Sequence, residues 1–297
     1  MNMSTLINKS RASQPRPEFE MEPVDASAIG AAEIPLTPLQ RLQNNTMFRR
    51  GAILVALALL WQGYAMWLNN PLLFPTFSDT VTVMVRDFIN GELLGRVITL
   101  MKVLLIGYAT GVAMAAILTT LAVSSRLGSD VLATLTAMFN PLPAIALLPL
   151  ALIWFGLGMW SLVFVLVHGV LWAIALNTNS GFRSVPETLR MSGRNYGLTG
   201  VRYVVSILIP AAFPSILTGL KIGWAFAWRT LIAAELVFGV SSRSGGLGWY
   251  IFEAREELNT SSVFAGLLTV IIIGLLVESV LFRAIEVRTV QKWGMQR

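Results

Sequence analysis

Apolar residues run through most of this chain in blocks long enough to cross a membrane, which takes about 20 mostly apolar residues in a helix. Six such blocks stand out, at 51–67, 96–122, 130–155, 158–177, 213–238 and 262–283. The first is short. The third carries Pro141, Pro143 and Pro149, so its pattern predicts two helical pieces rather than one. Between the first two blocks, Val81, Met84, Val85, Phe88 and Ile89 recur at helical spacing, with Asp79, Arg86, Asp87 and Asn90 off that stripe. Residues 78–94 therefore read as an interfacial helix leading into the second span.

Before residue 49 the pattern disappears. Residues 1–48 hold Pro15, Pro17, Pro23, Pro35 and Pro38 with scattered charges, which predicts a disordered tail ahead of a six-helix domain over 49–297. No signal peptide is expected, because the first apolar run begins only after Arg49 and Arg50.

Composition agrees with the pattern. Of 297 residues, 55% are hydrophobic and only 13% charged, and mean hydropathy is +0.67. Soluble domains carry about 25% charge, so this chain has too little polar surface to cover a water-soluble fold. The net charge of +6 would suggest nucleic acid in a soluble protein, but no nucleic-acid partner is expected here. Its Lys and Arg residues follow the topology instead. With the N-terminus inside, 15 fall on the inner side and 4 (Arg86, Arg96, Arg243 and Arg255) on the outer, so both termini are expected in the cytoplasm. The fold class is thus an all-α polytopic membrane protein with six spans.

Chemistry is sparse. With no cysteine and one histidine there is no metal site and no disulfide. The residues before the four lysines are Asn8, Met101, Leu220 and Gln291, so no Walker loop exists and any ATP must be bound by another chain. No Gly-x-Ser-x-Gly or Gly-x-Ser-Gly occurs, which leaves an intramembrane serine hydrolase without a nucleophile and the chain without catalytic residues. A self-contained channel or secondary transporter is the alternative reading, although no selectivity motif or inverted repeat is visible.

Residues 184–200, SVPETLRMSGRNYGLTG, lie in the loop expected between the fourth and fifth spans. Ser184 suits an N-cap, Pro186 an early helical position and Glu187 the positive helix end, so a short helix is expected, ending near Gly197. Arg190 and Arg194 share one face of it.

Within the spans, Lys102, His168, Lys221, Arg229, Glu235 and Glu278 are ionisable, and such residues usually face a bundle interior. Counted from residue 213, Arg229 lies about 24 Å deep and Lys221 about 12 Å, the latter level with Glu278 and a partner for it. A guanidinium suits a carboxylate, sulfonate or nitrate oxygen pair, which makes Arg229 the leading substrate residue. Glu235 would orient Arg229 or cap the outer loop. His168 reads as packed and hydrogen-bonded, Lys102 as snorkelling or facing substrate, Trp160 and Trp172 as interface and packing residues, and Gly245, Gly246 and Gly248 as a flexible outer turn.

The loop helix carries a resemblance. Gly197, nine residues, then Ile207-Leu208-Ile209-Pro210 resembles the cytoplasmic signature of ABC importer permeases, Glu-Ala-Ala, three residues, Gly, nine residues, Ile, one residue, Leu-Pro. Here Met191, Ser192 and Gly193 occupy the Glu-Ala-Ala positions, with Glu187 one turn earlier. NPLPAIALLPLALIWFGLG (140–158), YGLTG (196–200), AELVFG (234–239) and SGGLGWY (244–250) resemble the nitrate, sulfonate and taurine branch of that family. The resemblance implies a permease subunit of the bacterial inner membrane, paired as a homodimer and served by cytoplasmic ABC ATPase subunits and a periplasmic binding protein. No cofactor is implied. It also implies that 187–200 is the coupling helix, with Glu187, Arg190, Met191, Gly193, Arg194, Tyr196, Gly197, Leu198 and Pro210 as coupling residues. Arg229, Glu235, His168 and Lys102 are left for the substrate path, and the expected cargo is nitrate, a sulfonate, taurine or an aromatic carboxylate.

Overall fold

The computed structural model describes residues 44–123, 125–238 and 245–292. Most of the 1–48 tail therefore lies outside the described residues, as do Arg243, Gly239 and the last residues. Among the described residues there are helices and turns and no strand. Packing divides the chain between Ala56 and Leu57, inside the first helix.

That helix, α1 (Thr46–Leu68), is apolar all round and buries only Ala65. Its C-terminal half is pinned by Trp61, whose ring meets Phe74, Phe77 and Phe264 at 5.5–5.9 Å. The Trp61 indole N–H donates to the Pro75 carbonyl at 3.0 Å. Helix α2 (Phe77–Ile89) starts at Thr76, whose hydroxyl accepts from the Asp79 N–H at 3.1 Å. Of its apolar stripe, Val85, Phe88 and Ile89 are 46%, 52% and 76% exposed, whereas Val81 is half-buried and Met84 packs against the core. The opposite face carries a surprise, because Asp87 is buried and accepts the Tyr250 hydroxyl at 2.6 Å.

Helix α3 (Glu92–Val123) is the second span. The third block breaks as its prolines predict. Helix α4 (Arg126–Phe139) ends at Asn140, a 3-10 turn covers Ala144–Leu147, and α5 (Leu148–Phe155) follows with Pro149 in its first turn. The two pieces meet at 86°, so five helices are long and apolar enough to cross, or six if the bent pair counts as one span.

Helix α6 (Met159–Ser184) is the centre of the bundle, with 61% of its most apolar stretch buried. Lipid offers no hydrophobic drive between helices, so close approach through small residues holds them together. A methyl on Gly107 or Gly111 of α3 would sit 2.8 Å from Leu166 or 2.7 Å from Val170 of α6.

The fifth span begins earlier than its pattern predicts. Helix α8 (Gly200–Val237) runs unbroken through Pro210 and Pro214. A π turn at Val204–Leu208 accommodates Pro210, because Ile209 bonds back five residues to the Val204 carbonyl just ahead of the Pro210 ring. The expected long loop over 178–212 thus shrinks to a short connection, since α6 extends to Ser184 and α8 starts at Gly200. After α9 (Leu247–Glu256), the last helix α10 (Thr260–Val290) likewise outruns its block and includes π stretches at Val277–Phe282 and Val287–Gln291.

Candidate functional site

The connection between α6 and α8 folds into a two-turn helix, α7 (Glu187–Asn195). Ser184 is not its N-cap. That residue closes α6, with its hydroxyl donating to the Gly181 carbonyl at 2.8 Å, and Pro186 takes the cap position. The far end closes by a Schellman motif: Leu198 N–H donates to Gly193 C=O at 3.1 Å and Gly197 N–H to Arg194 C=O at 2.8 Å. Gly197 supplies the required left-handed residue at φ +70°.

Arg190 is spent inside the molecule. It donates to the Val185 carbonyl at 3.1 Å and the Phe182 carbonyl at 2.5 Å, placing its charge at the negative end of α6. Glu187 lies 3.8 Å from both Arg190 and Arg194, which ties that carboxylate to its own helix. Gly193 is buried, and a methyl there would meet Ile207 at 2.9 Å and Tyr203 at 3.1 Å, so α7 is clamped onto the start of α8. Among the residues left outward, beside polar Thr188, Ser192 and Asn195 and the charges of Glu187 and Arg194, Leu189, Met191 and Tyr196 are 44%, 55% and 84% exposed. Arg190→Ala is expected to cost about 1–2 kcal/mol by uncapping α6, whereas Arg190→Lys should keep roughly half of that; thermal unfolding in detergent would show it.

Glu235 takes the second of its two expected roles. It does not orient Arg229, which turns to the Ala225 carbonyl and the Phe226 ring instead. Buried to 1% exposure, its carboxylate accepts the Gly246 N–H at 3.1 Å and the Gly248 N–H at 2.9 Å, at the start of α9. A methyl on Gly246 would lie 2.7 Å from that carboxylate, and one on Gly248 2.6 Å from Glu235 Cβ. The glycines expected as a flexible turn are therefore buried packing: at Gly246 and Gly248 the backbone approaches the carboxylate, and at Gly245 the Trp249 side chain. Two further contacts hold α9. Arg96 bridges to Glu253 at 2.5 Å, and Tyr250 donates to Asp87, while burial, with Asp87 adding to it, raises the Tyr250 phenol above its ordinary pKa and keeps it a donor.

Among the remaining intramembrane charges one expected pair is corrected. Lys221 bonds to Glu286 at 2.6 Å, not to Glu278. The depth count stopped the last span at residue 283, whereas α10 continues to Val290 and brings Glu286 into reach. Arg229 is exposed, with its Nε donating to the Ala225 carbonyl at 3.0 Å and its guanidinium 5.5 Å from the Phe226 ring centre. Lys221, Arg229 and Glu278 line one cavity of about 220 Å³ with Trp224, Trp228 and Phe282. Among the described residues neither Arg229 nor Glu278 has an ion-pair partner.

His168 is packed as expected. Its Nδ1 accepts the Trp172 indole N–H at 3.2 Å, which leaves the proton on Nε2, buried and without a partner. Phe139 stacks on Trp172 at 5.2 Å, and the three rings divide a cavity of about 230 Å³ at the Pro141–Pro143 break from a larger apolar one of about 520 Å³. Lys102 is exposed on α3, apart from these cavities, and Trp160 is 63% exposed.

Four similarities place the chain. Residues 107–289 match the family described as binding-protein-dependent transport system inner membrane component. An ABC transporter permease protein of Methanocaldococcus jannaschii is 33% identical over 74% of this chain and 82% of its own length. The taurine transport system permease protein of Escherichia coli is 29% identical over 77% of this chain and 83% of its own. A nitrate import permease protein of Synechocystis is 34% identical over 52% of this chain and 55% of its own. The chain belongs to the binding-protein-dependent transport system inner membrane component family, whose members are membrane permeases and not enzymes.

Proposed function

We propose that this inner membrane permease is the path-forming subunit of an ATP-driven importer for a small anion. Two copies would enclose the path, with ATPase subunits on the cytoplasmic side and a binding protein delivering cargo outside. The observation that carries the reading is α7, a helix closed by a Schellman turn and clamped through Gly193 onto α8, between two central spans. A solvated loop has no use for outward Leu189, Met191 and Tyr196. A partner groove does, and a rigid helix transmits the partner's closure to α6 and α8 as a body. The excess of Lys and Arg on the α7 side supports placing both termini and α7 in the cytoplasm.

Anion transport rests on Arg229, an intramembrane guanidinium that lines a cavity and has no ion-pair partner among the described residues, and on relatives named for taurine and nitrate transport. Arg229→Ala is expected to lower uptake about tenfold or more while the ATPase still co-purifies. Mild-detergent purification of the tagged chain from its own host, with mass spectrometry of what accompanies it, tests the assembly. An ATPase subunit and a binding protein are expected. A chain that stays alone, where a known ABC importer remains assembled in the same detergent, would favour a self-contained channel or secondary transporter.

A further inference from the structure

The cavity between α8 and α10 holds charges of both signs that do not neutralise each other. Three contacts fix the register of the two helices. Lys221 meets Glu286, Trp224 packs against Phe282 at 6.2 Å, and Trp228 lies against Gly274. Residue numbers rise along α8 as they fall along α10, so the helices are antiparallel here. Glu278 then falls level with the turn between Trp224 and Trp228, within about one turn of Arg229. It also sits in the π stretch Val277–Phe282, a geometry found often at functional sites.

Arg229 and Glu278 are thus close enough to share an occupant, yet the structure pairs neither. Arg229 turns to a carbonyl of its own helix and to Phe226, and Lys221 is taken by Glu286. An unpaired carboxylate at membrane depth is costly, and so is an unpaired guanidinium. A bare anion would satisfy Arg229 and be repelled by Glu278. A small molecule with an anionic group at one end and an ammonium at the other satisfies both, and the two indole walls suit its cationic end.

We propose that Glu278 is a specificity-determining residue of the path, and that the cavity takes a small zwitterion, an amino sulfonate or amino acid, in preference to a bare anion. This rests on the reading of Arg229 as the anion contact. The sulfonate or carboxylate bonds to the Arg229 fork and the ammonium to Glu278.

The test uses the full-length chain in lipid nanodiscs, with direct binding of 3-aminopropane-1-sulfonate and propane-1-sulfonate measured by equilibrium dialysis. Working without a binding protein keeps that protein's own selectivity out of the result. The wild-type chain should hold the amino sulfonate about tenfold more tightly or better, the scale of one charge-assisted hydrogen bond. Glu278→Gln, which keeps the side chain's shape, should remove that preference and leave propane-1-sulfonate within about twofold. Arg229→Ala should weaken both probes. Equal losses for both probes in Glu278→Gln, an unchanged preference, or no saturable binding by the wild-type chain would each overturn the proposal. A chain that binds the probes as described but never captures an ATPase would instead overturn the importer reading and leave the site standing.

Discussion

Gly248→Ala should destabilise the folded chain by about 3 kcal/mol or more, among the largest effects of any single methyl added to this protein. The new Cβ would lie 2.6 Å from Glu235 Cβ and 2.7 Å from the Ile232 carbonyl, a backbone atom of α8 that has no freedom to retreat. Relief requires α9 to move away. That movement breaks the bonds from Gly246 and Gly248 to Glu235, leaving a carboxylate at 1% exposure with fewer donors. Overpacking typically costs about 1–3 kcal/mol, and each bond to a charged acceptor contributes about 1.5–3. Gly63→Ala is the matched control, because nothing lies within 4 Å of a methyl there and the helix interior favours alanine by about 0.5–1 kcal/mol. Thermal unfolding followed by size-exclusion in detergent should separate the two clearly. Equal midpoints would mean that the Glu235 contact does not hold α9.

This contact also marks the limit of what the sequence makes legible. Hydrophobic blocks located the spans, and Pro141 and Pro143 located the 86° bend, because both follow from one-dimensional rules about apolar length and missing N–H groups. Helix ends failed where a π turn intervened. The apolar pattern starts the fifth span at residue 213, yet α8 begins at Gly200 and passes Pro210 because Ile209 bonds back to Val204. That early start turned a predicted long loop into a short connection. The segment over 184–200 was legible as a helix ending near Gly197, since a Schellman close needs a left-handed residue. The inward use of Arg190 was not, because its acceptors are carbonyls that any sequence supplies. Pairings across elements were least visible. Asp87 with Tyr250, Arg96 with Glu253 and Lys221 with Glu286 each join residues more than 60 positions apart, and only the packed bundle brings them together.

Gly197→Pro is expected to abolish coupled transport, reducing uptake more than tenfold, while the chain still inserts and melts near the wild-type temperature. The substitution strikes both bonds that close α7. Proline has no N–H to give the Arg194 carbonyl, and its ring fixes φ near −65° where the chain needs +70°. With the turn redirected, the bond from Leu198 to Gly193 is lost as well. The local cost is about 3 kcal/mol or more, larger than a two-turn helix can absorb, so α7 loses its fixed direction. The bundle is spared because no atom lies within 4 Å of a Gly197 methyl position. Gly197→Asn provides the contrast, since asparagine tolerates the left-handed region and keeps its N–H, and it should retain most of the transport. The decisive reading is ATP hydrolysis against uptake in the assembled transporter. Hydrolysis that persists without uptake in Gly197→Pro identifies a lever that has gone slack between ATPase and spans. Normal uptake would mean that neither the closed helix nor its direction carries the signal, and α7 would no longer be the coupling element.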